Sequence, residues 1–149
     1  MKKNLVLIGI CIVILLIFTS FNLYFFESFS VKSIQVGNVV ITNIEIADMD
    51  AERQLGLSGR VGIEDNFGLL FLFDKPSFYG FWMKDMNFPI DIIWLDESFK
   101  VTGLKVGATP ESYPQTFYPE SKSLYVLETH SGLIESQNLK IGDMVKVIK

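Results

Sequence analysis

The sequence predicts a mainly β domain, a small β-sandwich or partly closed barrel of about eight strands with one or two short helices, behind an N-terminal transmembrane helix. Three observations predict it. Short apolar runs rich in Val, Ile and Phe recur between turn residues from Ser33 to Ile148. Helical spacing is confined to residues 49–57 and one turn at residues 132–136. The chain opens Met1-Lys2-Lys3 and then carries no charge from Asn4 to Phe26.

The elements follow in order. Residues 33–36 and 39–47 read as strands, joined by a Gly37-Asn38 hairpin turn. Asp48 or Asp50 is placed to cap the first helix, which Gly56 and Gly59 end. Residues 68–73 are a dense apolar strand, and Asp74-Lys75-Pro76-Ser77 reads as a loop. Residues 78–84, 90–95 and 100–106 are the next strands. Residues 107–122 carry three prolines and three aromatics and read as irregular, a length uncommon in loops without a function. Strands at residues 124–128 and 144–148 close the domain.

The uncharged stretch is 23 residues long, and ~20 helical residues cross a bilayer. Residues 1–26 are therefore expected to anchor the chain, residues 27–32 to link, and residues 33–149 to form the domain. The longest unbroken apolar run, residues 5–18, also suits a secretory signal. The only small-x-small site nearby is Ser28-Phe29-Ser30, so retention is the leading expectation and secretion after cleavage the alternative. Lys2 and Lys3 precede the segment and Glu27 follows it, which orients the C-terminal domain outside the cytoplasm.

Charge narrows the partners. Removing Lys2 and Lys3 from the 13 basic residues leaves 11 against 17 acidic ones, a domain charge of −6. That disfavours nucleic acid and anionic lipid headgroups. The domain has no cysteine, so its core alone must stabilise it.

Several blocks, taken together, resemble a known family. Ala51-Glu52-Arg53 with Gly56-Leu57 and Gly59-Arg60 is similar to its opening motif. Gly68-Leu69-Leu70-Phe71 with Phe73 resembles the second block, and Phe81-Trp82-Met83-Lys84 with Pro89-Ile90-Asp91-Ile92 and Asp96 the most distinctive one. Tyr125-Val126-Leu127-Glu128, Gly132 and Ile141-Gly142-Asp143 resemble the C-terminal blocks. The family is the domain of unknown function 192 (DUF 192), and the likeness runs in order over residues 34–149. It implies a mainly β domain, often secreted or membrane-tethered, and brings no established reaction. This chain departs from the pattern with Asp85-Met86 where the family usually has Asn-Thr, and with Ser58 and Leu69 where methionines are common.

Polar residues set into apolar strands supply the candidate site. Asp91 lies between Ile90 and Ile92, Lys84 follows Phe-Trp-Met, Glu128 ends an apolar strand, and Arg60 follows a glycine at the helix exit. A lone buried charge is costly, so Asp91 calls for a cationic partner, with Arg60 and Lys84 the best placed. One reading is a structural salt-bridge network. The other is a ligand pocket in which Arg60 and Lys84 hold an anion against an apolar wall of Trp82 or Tyr118. A hydrolase pairing Asp91 with Glu128 is a further alternative.

Other chemistries lack their residues. His130 is the sole histidine and Cys11, in the apolar segment, the sole cysteine, so one chain can form neither a His/Cys zinc site nor a cysteine nucleophile in the domain. A Ser-His-Asp triad would need His130, whose surroundings lack a nucleophile elbow. Neither an EF-hand spacing nor a phosphate-cradling glycine motif is present, and no metal or other cofactor is expected. The leading expectation is a non-catalytic binding or accessory module at the outer membrane face, taking a small molecule, glycan, peptide or envelope protein. A small envelope hydrolase and a structural subunit of an envelope complex are the alternatives.

Overall fold

Strand β6 (Ile90–Leu95) is buried at all of its positions, as befits a strand inside a sheet covered on both faces. It pairs antiparallel with β7 (Val101–Ala108) on one side and β9 (Ser123–His130) on the other. Beyond β9 come β4 (Phe67–Ser77) and β3 (Asn43–Ala47), giving a five-stranded sheet of order β3-β4-β9-β6-β7. The computed structural model describes residues 31–149, a single compact unit. The expected membrane segment, residues 1–26, lies outside the described residues. Among the described residues no helix is long and apolar enough to cross a membrane.

The pair β3 and β4 runs parallel, so the chain must cross over between them. That crossover, residues 48–66, contains helix α1 (Asp50–Leu55). The helix start differs from expectation: the Glu52 carboxylate accepts the backbone N–H groups of Asp48 (3.1 Å) and Met49 (3.2 Å), which leaves the two aspartates out of the cap. Gly56 ends the helix at φ 50° and ψ −129°, a backbone shape open chiefly to glycine.

A second sheet has the order β10 (Lys146–Ile148), β1 (Ser33–Val36), β2 (Val39–Ile41). Strands β1 and β2 form the expected hairpin, with Val36 opposite Val39. Strand β10 pairs with the other side of β1, Ser33 facing Ile148. The expected long strand at residues 39–47 is split at Thr42, and its halves serve different sheets. Ile41 from this sheet abuts the large one: a Cβ on Gly68 would stand 3.2 Å from Ile41 Cγ2 and 3.0 Å from Leu127 Cδ1.

Residues 107–122 are more ordered than their composition predicts. They hold a 3₁₀ turn (Pro110–Ser112) and strand β8 (Thr116–Phe117), which pairs with β5 (Phe81–Trp82) in a small ribbon. The same segment packs back onto the large sheet at Gly103, where an added Cβ would lie 2.6 Å from Pro119 Cα and 3.4 Å from Trp94 Cε3. Gly103→Ala is therefore expected to cost about 1–3 kcal/mol, read as a lower urea midpoint.

The residues expected to loop at 74–77 instead extend β4, past a register shift between Leu72 and Ser77. Such an irregularity is where a sheet tolerates a proline such as Pro76. In all, the described residues form ten strands in open sheets and two short helices, the second being α2 (Leu133–Ser136). The barrel expectation is corrected: β3 and β7 are edges that do not pair with each other, and a barrel requires that closure.

Register separates the two faces of the large sheet. Leu69, Glu128 and Ile92 lie side by side, with Phe71, Val126 and Trp94 in the next row of the same face. Gly68, Thr129 and Asp91 form a row on the opposite face, as do Leu70, Leu127 and Ile93.

Candidate functional site

The crossover and the segment 79–86 stand as two walls over the Glu128 face of the large sheet, leaving a cleft of about 270 Å³ between them. Each wall is pinned. Arg53 of α1 donates to the backbone oxygens of Leu72 (2.8 Å) and Asp48, pairs with Asp50 at 2.6 Å, and lies over the Phe73 ring. The indole Nε1 of Trp94 donates to the Tyr79 backbone oxygen at 2.8 Å, tying the second wall to the sheet. The walls are clasped at one end. Ser58 Oγ donates to Lys84 O at 2.9 Å, and the Gly59 N–H donates to Asp85 O at 2.8 Å.

Five aromatic side chains line the cleft, beside the polar Asp50, Arg53, Gln54 and Ser58. Phe73 and Tyr79 are stacked with ring centres 3.5 Å apart. Phe71 and Phe81 meet edge to face at 4.8 Å, and Phe81 meets Trp94 likewise. Trp82, on the ribbon, keeps 53% of its surface exposed.

Glu128 is the polar group of the floor. Only 5% of it is exposed, and its buried Oε2 has no hydrogen-bond partner. Burial pushes the carboxyl up to about 8, against an opposing pull from the Arg60 guanidinium. At neutral pH the group is a neutral acid, able to donate as well as accept. An unsatisfied buried polar atom costs about 1–3 kcal/mol. The space beside it is held open by Gly56, where a Cβ would stand 3.8 Å from Glu128 Oε2 and 3.5 Å from Phe71 Cζ.

The residues singled out from the sequence divide. Trp82 and Glu128 line the cleft together. Arg60 is engaged elsewhere: its two terminal nitrogens bind Glu45 Oε1 at 3.0 Å and Oε2 at 2.5 Å, which lowers the Glu45 carboxyl and raises the guanidinium. It reaches Glu128 through its field alone. Lys84 is exposed and lends the clasp its backbone oxygen. Tyr118 is exposed and backs the cleft wall at Gly80, where a Cβ would fall 2.6 Å from its ring.

Asp91 corrects the expectation of a cationic partner. It is fully buried on the far face, and backbone amides satisfy it. Oδ1 accepts the Gly107 N–H at 2.8 Å, while Oδ2 accepts those of Gly132 (3.1 Å) and Ile134 (2.8 Å). The glycines make this possible: Gly107 (φ 53°) and Gly132 (φ 102°) turn their chains in the left-handed region and aim those N–H groups at the carboxylate. Asp91 and Glu128 thus lie on opposite faces of one sheet and share no cleft.

Sequence reasoning missed Arg53, Phe73, Tyr79 and Gly56 as cleft residues. The signal for Gly56 and Arg53 was their place in the opening motif. The aromatics gave none, since wall and core aromatics look alike in sequence. Among the described residues no three His, Cys, Asp or Glu side chains converge as a metal site would require.

The pattern of the DUF192 family, described as Uncharacterized ACR, matches residues 32–147. The chain belongs to the DUF192 family. A UPF0127 protein of Pyrococcus horikoshii is 30% identical over 108 residues, covering 69% of this chain and 85% of the relative. Another, from Thermococcus sibiricus, is 31% identical over 115 residues, covering 73% and 68%. Among solved structures, a protein of unknown function from Novosphingobium aromaticivorans superposes with a TM-score of 0.71 at 27% identity, over 81% of this chain and 88% of that one. The DUF192 match spans both walls of the cleft and its floor, because residues 48–86 and Glu128 all fall within it.

Proposed function

We propose that this DUF192 domain is a membrane-tethered, extracytoplasmic binding module, with the cleft above Glu128 as its ligand site. One observation carries the binding reading: Glu128 lines a cleft shared with five aromatic side chains, and one of its carboxyl oxygens is buried without a hydrogen-bond partner. A few placed polar groups in an apolar concavity are the usual make-up of a small-molecule site. The tether rests on the 23 uncharged residues after Lys3 and on the lysines before them. Secretion after cleavage would leave the same domain outside the cell.

The hydrolase alternative draws less support. Two carboxyl groups must flank one bond, and Asp91 lies across the sheet from Glu128.

The test is thermal-shift screening of the purified chain against envelope-derived compounds. A ligand at 100 times its Kd adds roughly 2.7 kcal/mol to stability, so a true ligand raises the melting temperature in a saturable way. Trp82→Ala removes an exposed wall residue and is expected to cut that rise to roughly half at the same ligand concentration while leaving the unliganded melting temperature within about 2 °C. An undiminished rise in Trp82→Ala would move the binding site elsewhere.

A further inference from the structure

We infer that the ligand of this cleft is a neutral, hydroxylated ring, a saccharide unit that lies against Trp82 and turns a hydroxyl toward Glu128 Oε2. The inference rests on the binding reading and names the class of ligand.

Four observations lead to it. The first is size: about 270 Å³ falls just under the ~300 Å³ at which pockets for drug-sized ligands begin, which suits a single ring. The second is the platform. Trp82 is the one aromatic of the cleft with half its surface open, and a flat indole face accepts the C–H side of a ring. The third is the floor, where Glu128 lines the cleft and its enclosed Oε2 has no hydrogen-bond partner, so a ligand hydroxyl that reaches it would satisfy it. Hydroxyls donate and accept, so they satisfy this oxygen whichever protonation state it holds.

The fourth is charge. An anion would find Arg53, the cation of the cleft lining, already paired with Asp50. A cation cage would need several open π faces around it, and of the cleft's aromatics only Trp82 keeps half its surface open. Phe73 carries Tyr79 on one side and the Arg53 guanidinium 5.5 Å from its centre. Phe71 and Phe81 are engaged with each other, and Phe81 with Trp94. The cleft offers a platform and a hydrogen-bonding floor in place of a cation cage.

The experiment titrates the full chain with glucose, galactose, mannose and N-acetylglucosamine, each as the free sugar and as a disaccharide, and with tetramethylammonium chloride. Binding is read by tryptophan emission and by saturation-transfer NMR on the sugar. At least one sugar is expected to bind, and the tighter form shows whether the unit is free or chain-borne. Trp82→Ala and Glu128→Leu should each weaken that binding about tenfold, the worth of one lost contact of roughly hydrogen-bond strength. Glu128→Gln keeps an acceptor and a donor at the floor and should stay within about threefold of the parent. If Glu128→Leu unfolds the domain, Trp82→Ala and Glu128→Gln still decide the matter.

Sugar binding unchanged in Trp82→Ala would overturn the inference. So would tetramethylammonium binding that tightens with pH and vanishes in Glu128→Gln, an outcome that leaves the binding reading intact. Silence of all the sugars, alongside a Trp82-dependent hit in the thermal-shift screen, sinks the saccharide class alone. Silence in both sinks the binding reading with it.

Discussion

Asp91→Ala is expected to destabilise the domain by about 3–5 kcal/mol, the cost of breaking a buried charged network. The carboxylate is fully buried and takes three backbone N–H groups, from Gly107, Gly132 and Ile134. A methyl group would leave all three donors without an acceptor and open a small cavity. Asn at this position keeps one acceptor oxygen but turns an NH₂ toward amide donors, so roughly half the loss should remain. Urea denaturation measures both. A variant within about 1 kcal/mol of the parent would show that the three amides find other partners, and the structural role assigned to Asp91 would fail.

The second large effect is a pH dependence centred on Glu128. Its carboxyl ionises near 4.5 in a freely exposed setting and near 8 in the folded domain. Between those values the folded state holds a proton that the unfolded chain has released. The contribution of the neutral form is therefore intact below about pH 4.5 and is lost as pH climbs through 8. One bound proton corresponds to a slope of about 1.4 kcal/mol per pH unit. From pH 5.5 to pH 8 the parent should lose on the order of 3 kcal/mol from this group. Glu128→Gln cannot ionise, and its stability profile should be flatter than the parent's by that amount. Parallel profiles for the two proteins would mean that Glu128 is ionised in the fold, hydrated or paired.

The strand pattern was largely legible in the sequence. Ile90–Leu95 was read at its true limits, and the Gly37-Asn38 hairpin lies where its turn residues put it. Both depend on local chemistry, apolar runs and turn propensity. What the sequence concealed is non-local. Thr42 gives no local sign that the chain changes sheets there. The segment 107–122 has the composition of a loop, yet its place is set by Gly103 and the β5 ribbon.

The site followed the same division. Alternation along β6 and β9 assigns Asp91 and Ile92 to different faces, and Glu128 to a face of its own strand. Only the pairing register, with Ile92 opposite Glu128, puts Asp91 and Glu128 on opposite sides of the sheet. Asp91 invited a search for a cation because charged residues announce themselves in sequence. Its partners are backbone amides, which every residue but proline carries and which no sequence pattern marks.

The pairing of β1 with β10 has an engineering consequence. Ser33 and Ile148 are neighbours across a ladder, and the Lys32 N–H donates to Ile148 O at 2.8 Å. The domain therefore enters and leaves its own fold at nearly one point. A polypeptide with that property can be spliced into a surface loop of a host protein with little strain on the host, or circularly permuted by a short bridge between its ends.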